Sequence, residues 1–180
     1  MSEENFDPIQ SGAPEMDQET YEFIQELFQL ARTGDTERLE KVFEMGFAAP
    51  NLRDGKGNSL LMLASYNRQY ETTRLLLKHG GDPQLANDRG QIPLSGAAFN
   101  GDTEMARLLI EHGAEVNACD PDGKTSLMFA AMFNRTEIID LLLTHGADFS
   151  LKTSDGKTAL ELARAMGAAA AAARLGQADG

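Results

Sequence analysis

Gly123-Lys-Thr-Ser-Leu-Met-Phe-Ala-Ala-Met-Phe-Asn-Arg-Thr-Glu-Ile-Ile-Asp-Leu-Leu-Leu-Thr-His-Gly146 is the stretch that decides the fold. It holds two short helical patterns, one after the other. Thr125 can cap a first helix running to Phe133, with Leu127, Ala130 and Ala131 on one face. Asn134 then stands where only glycine or asparagine readily accepts a left-handed backbone. A second helix from about Thr136 carries Ile138, Ile139, Leu141 and Leu142, and Gly146 ends it. A polar stretch up to Asp155 turns the chain onward.

The same pattern recurs on both sides. Gly57, Gly90, Gly123 and Gly156 are each 33 residues apart. Leu61, Leu94, Leu127 and Leu160 follow in register, as do Ala64, Ala97, Ala130 and Ala163. Leu75, Leu108 and Leu141 keep the interval, and so do His79, His112 and His145, each followed by a glycine. A degenerate earlier copy places Leu27, Gly34 and Gly46 34 residues before Leu61, Arg68 and Gly80, so one residue is added between Phe47 and Arg53. A helix pair of this size cannot bury its apolar face alone. Stacking on the next copy is therefore obligatory.

The motifs Gly90-Gln-Ile-Pro-Leu-Ser-Gly-Ala-Ala, Gly123-Lys-Thr-Ser-Leu-Met-Phe-Ala-Ala and Gly156-Lys-Thr-Ala-Leu-Glu-Leu-Ala, with helix ends at Leu108–Glu115 and Leu141–Asp148, resemble the ankyrin repeat from about Thr20 to Arg174. The resemblance implies an all-α solenoid of about five repeats, including degenerate caps, with loop or hairpin tips. There are departures. Met62, Ser95, Met128 and Glu161 replace the motif histidine, and Arg68 occupies a turn position that favours glycine. The expected organisation is a disordered acidic tail over 1–16 and a repeat domain over 17–175, with a flexible end over 176–180. Its units fall at about 20–53, 54–86, 87–119, 120–152 and 153–175. Asp17 to Ala31 reads as a first helix with Phe23, Leu27 and Leu30 facing the stack. Ala168–Ala173 reads as a small closing helix, the alternative being a frayed low-complexity tail. Small free-standing proteins of this kind occur in bacteria and eukaryotes; the irregular loops and alanine-rich end lean towards a bacterial one.

Composition narrows the function. Twenty-eight acidic against sixteen basic residues give a net charge of −12, which repels phosphate backbones and anionic lipid and would attract a basic partner. The N-terminus has neither the basic region nor the apolar run of a signal peptide, and no run of eighteen apolar residues is present. With Cys119 as the single cysteine there is no internal disulfide. These readings point to a cytoplasmic monomer that binds neither nucleic acid nor membrane.

No catalytic, cofactor or metal site emerges. Gly123-Lys-Thr and Gly156-Lys-Thr imitate the end of a phosphate-binding loop, yet Ala118 and Leu151 stand where its first glycine is required. Asp120-Pro-Asp-Gly imitates a calcium loop whose first and closing carboxylate positions are Ala118 and Phe129. The histidines fall one per layer, about 8–10 Å apart, too far to converge on one zinc ion. They read as helix-end residues satisfying terminal carbonyls. Cys119 sits beside Asp120 with no adjacent cation to stabilise a thiolate.

The residues nine and ten places after each repeat glycine lie near the first helix's end, off the core columns. The resemblance implies that these positions line a concave groove together with the loop tips. The groove candidates are Tyr66, Asn67, Phe99, Asn100, Met132 and Phe133, continued by Ala165 and Met166. The tip candidates are Arg53, Lys56, Asp88, Arg89, Gln91, Asp122 and Lys124. Aromatics are enriched among interface hot spots, which favours an exposed row meeting one protein partner; the competing reading tucks the rings between helix layers. The expected function is non-enzymatic protein binding. An accessory or immunity-like modulator of a basic-surfaced enzyme is the second reading, and an enzyme or ligand carrier the third.

Overall fold

The computed structural model describes residues 17–46 and 49–178, and the tail expected over 1–16 lies outside them. Among the described residues ten helices run in pairs: α1 Gln18–Thr33 with α2 Thr36–Glu44, α3 Leu60–Tyr66 with α4 Tyr70–Lys78, α5 Pro93–Asn100 with α6 Thr103–Glu111, α7 Ser126–Met132 with α8 Thr136–Thr144, and α9 Ala159–Ala165 with α10 Ala169–Ala178. Each odd-numbered helix packs on the next odd one, and the even-numbered helices form a second row behind them. Among the described residues there is no β-strand, only isolated bridges Arg53–Ser59 and Cys119–Thr125 at two tips.

The short first helices begin where their hydroxyls say. The side chains of Ser59, Thr125 and Thr158 accept from the amides of Met62, Met128 and Glu161. In the third copy Ile92 has no such oxygen, but Pro93 at the first helical position has no amide hydrogen to satisfy there. Between the two helices of each pair the chain reverses through one left-handed residue: Gly34, Arg68, Gly101, Asn134 and Gly167, with φ from 57° to 79°. Arg68 and Asn134 thus hold a conformation that costs a side-chain-bearing residue about 1 kcal/mol.

The repeating leucines and alanines form one continuous core. Leu61, Leu94 and Leu127, and Ala64, Ala97, Ala130 and Ala163, are buried, as are Leu76, Leu109 and Leu142 from the second helices. Ser126 is a flaw in it: its Oγ is buried without a hydrogen-bond partner. Alanine fills the same register at Ala159. Ser126→Ala therefore removes an orphaned hydroxyl and raises stability by about 1 kcal/mol, read as a melting temperature about 2–4 °C higher. A lower melting temperature contradicts this.

The C-terminal alanines make an ordered cap. Ala171 and Leu175 are buried, and the helix continues through Gly176 to Ala178, past the boundary expected at residue 175. Two contacts pin it to the fourth pair. The Ala171 amide donates to Asn134 Oδ1 at 2.9 Å, and the Arg174 guanidinium pairs with Asp140 of α8. That hydrogen bond holds the Asp140 carboxyl below the usual carboxylate range. A lowered carboxylate pKa contributes stability above its unfolded value and loses it as pH falls through the folded one. Asp140→Asn thus melts slightly lower than wild type at neutrality, and the gap closes in strong acid. Melting curves at both pH values check this.

Candidate partner-binding surface

Tyr66 follows Leu61 by five residues, which carries it about 140° round the helix from the core stripe. The same spacing applies in each copy, so the ends of α3, α5, α7 and α9 turn a row of side chains away from the core. Tyr66 is 49% exposed and Phe99 38%, while Met132 and Phe133 are half-buried and Met166 is exposed. None of the three aromatics is sealed between layers. The row is also organised. The Phe99 and Phe133 rings meet edge to face with centroids 4.5 Å apart. A side chain at Gly96 would place its Cβ 3.2 Å from Tyr66 Cδ2, so glycine leaves room for that ring.

The two asparagines of the row have structural work. Asn67 Nδ2 donates to the Leu63 carbonyl of its own helix at 2.8 Å, and Asn100 Nδ2 donates to the Tyr66 carbonyl one layer away at 3.2 Å. Asn100 is a tie between repeats first.

The tip candidates divide. Arg53 donates to the carbonyls of Gly57 and Ala86 and pairs with Asp88 at 3.3 Å, so Arg53 and Asp88 clamp neighbouring tips together. Backbone bonds knit the same edge, from Asp88 N–H to Lys56 C=O and from Ser154 N–H to Asp122 C=O. Gln91 is half-buried and donates its backbone N–H to Asn87 Oδ1. Lys124 lies against Asp122 at 2.7 Å, which raises the lysine's pKa. Among the described residues Lys56 and Arg89 form no ion pair, which leaves them the readiest tip cations.

Several contacts escape a sequence reading. Asp102 is buried, caps α6 through the Met105 amide and accepts the Tyr70 hydroxyl at 2.9 Å, with Arg68 Nε 3.5 Å away. Burial, then the Asp102 bond, pushes the Tyr70 hydroxyl's pKa up. The hint was the register of Asp102 with Asp35, whose side chain caps α2 by accepting from the Arg38 amide. Met45, 61% exposed, was also passed over, although it stands 34 residues before His79 in the helix-end column. In that column His112 and His145 donate from Nδ1 to the carbonyls of Leu108 and Leu141, each at 2.8 Å. His79 instead stacks on Phe43, with ring centroids 4.7 Å apart. Cys119 is exposed, and among the described residues no group of three or more His, Cys, Asp or Glu gathers as metal ligands. No helix among them is long and apolar enough to cross a membrane.

A family model for ankyrin repeats in three copies matches residues 27–120 and 94–178. An ankyrin repeat protein of Pseudomonas aeruginosa is 54% identical over 65 residues, covering 36% of this chain and 37% of that protein. A palmitoyltransferase of Gibberella zeae is 32% identical over 74 residues, covering 41% of this chain and 10% of that protein. The chain thus spans well under two thirds of the length of either relative.

Proposed function

We infer that this chain, which belongs to the ankyrin-repeat family, is a protein-binding module that holds one partner along the row Tyr66, Phe99, Met132 and Phe133. Ankyrin repeats are generally protein–protein interaction modules. The observation that carries the reading is the exposure of aromatic rings in consecutive layers, on a face that the core columns do not use. Large apolar side chains held in water are unfavourable unless they gain a covering surface, and a contiguous row gains more than scattered residues. Lys56 and Arg89 at the tips would orient the approach of the partner.

The mode of action is occupancy: masking a surface of the partner or steadying its fold, without chemistry or cofactor. Cys119 is a free, exposed thiol, and the histidines serve helix ends or stack. The palmitoyltransferase likeness covers a tenth of that protein, so its named activity is not carried over. The net charge of −12 favours a partner with a basic surface, including an enzyme held in check. The exposed free thiol fits a reducing, cytoplasmic setting for a monomer.

The test is a triple variant, Tyr66→Ala/Phe99→Ala/Phe133→Ala, used beside wild type to purify bound protein from the native cell. Loss of a central aromatic typically costs about 2 kcal/mol or more, so a partner held by wild type binds the variant at least about 30-fold more weakly. Helicity is retained. Equal capture by both proteins refutes the groove, and an unfolded variant shows that the rings belong to the core.

A further inference from the structure

The N-terminal end of the stack differs from every internal layer. α1 has 16 residues against 7 or 8 in the other first helices, its extra turns lying at its start. Every later helix pair is backed by the pair before it. Among the described residues nothing backs α1 and α2. Between them lies an open cleft of about 200 Å³, lined by the apolar Phe23, Leu27, Leu30, Val42 and Met45 and by the charged Glu26, Arg38 and Lys41. Leu27, Leu30 and Val42 form a buried floor, Phe23 is half-buried, and Met45 is exposed at the mouth.

The helix pair that forms this cleft is acidic: residues 17–46 hold eight acidic residues and three basic ones, a net of −5. All three bases are already engaged: Arg32 with Asp54, Arg38 with Glu26, and Lys41 with Glu37. Glu19 and Glu22 have no basic partner among the described residues. They share the cleft's helical stripe, since Glu19 is four residues before Phe23, and Glu22 four before Glu26.

We propose that this cleft is a second docking surface, for a cationic amphipathic helix of a partner protein. The far side of the α1–α2 pair receives helices α3 and α4, and the same kind of packing suits the near side. Phe23 to Leu30 spans seven residues, about 10 Å of helix, enough to seat two apolar side chains of an incoming helix. Lysines and arginines beside those side chains would face Glu19 and Glu22. Charge selects this occupant over two others. A second copy would bring the same acidic end to an acidic end. The chain's own residues 1–16 carry Glu3, Glu4, Asp7 and Glu15 and no lysine or arginine.

The test uses the full chain and a fluorescent peptide of leucine and lysine at helical spacing, with a scrambled peptide of equal composition as control. The patterned peptide binds about tenfold or more tightly than the scrambled one, with affinity falling as salt rises. Glu19→Lys/Glu22→Lys/Met45→Glu, all at exposed positions, weakens binding by about tenfold or more. The Tyr66→Ala/Phe99→Ala/Phe133→Ala variant binds the peptide as wild type does, which separates this surface from the groove. Equal binding of both peptides, an unaffected cleft variant, or loss of binding in the groove variant overturns the proposal. So does a dimer abolished by Met45→Glu, which would assign the cleft to a second copy. A gain in peptide affinity on Phe6→Glu/Ile9→Glu would assign it to the chain's own start, and equally overturns the proposal.

Discussion

Leu109→Ala lowers the free energy of unfolding by about 3–4 kcal/mol, a large part of the roughly 5–15 kcal/mol that stabilises a typical domain. Leu109 is fully buried in α6, in the third of five helix pairs. Its loss removes transfer energy and leaves a cavity that rigid neighbours fill only in part. The position magnifies the effect. In a stacked solenoid each pair is stabilised by its neighbours, so a weak middle layer uncouples the two halves. Urea unfolding followed by circular dichroism will show a much lower midpoint and a broadened or two-step transition. Met45→Ala provides the control, since its side chain lies mostly in water and its loss leaves no internal cavity. A Leu109→Ala midpoint within error of wild type would mean that the layers are not energetically coupled.

Gly57→Val is comparably damaging, at about 3 kcal/mol, for a different reason. Gly57 has φ of 74° at the first repeat tip, and a Cβ there would lie 2.7 Å from the backbone nitrogen of Asp88. A β-branched residue is a severe outlier at such a φ. Relief by movement would pull Asp88 from its amide bond to the Lys56 carbonyl and disturb the Arg53 clamp. Gly113 gives the comparison: its φ is 90° but no atom lies within 4 Å of a built Cβ. Gly113→Ala therefore bears the conformational cost alone, about 1 kcal/mol. If the two variants melt together, the tips are not the tightly knit edge described above.

The difference between these sites also marks how far the sequence could be read. Local features were legible because their causes lie within a few residues. Thr125 caps α7, Asn134 and Arg68 are left-handed, and His112 and His145 satisfy carbonyls four residues back. The 33-residue period gave the stack itself. Contacts between layers were not legible, because they depend on how far a side chain reaches towards a residue about 33 positions away. Arg53 and Asp88 looked like free tip charges and form a clamp; Asn100 looked like a groove contact and ties two layers. Tyr70 and Asp102 were passed over for the same reason. At the end of the chain the closing helix was expected over Ala168–Ala173, yet burial of Leu175 and the helix preference of alanine carry α10 on to Ala178.

Amide hydrogen exchange on the partner complex tests the aromatic row most directly. The account predicts slowed exchange at the ends of α3, α5 and α7, around Tyr66, Phe99 and Phe133, with α4, α6 and α8 unchanged. Slowing confined to α4, α6 and α8, with those aromatic helix ends exchanging as in the free protein, would contradict it.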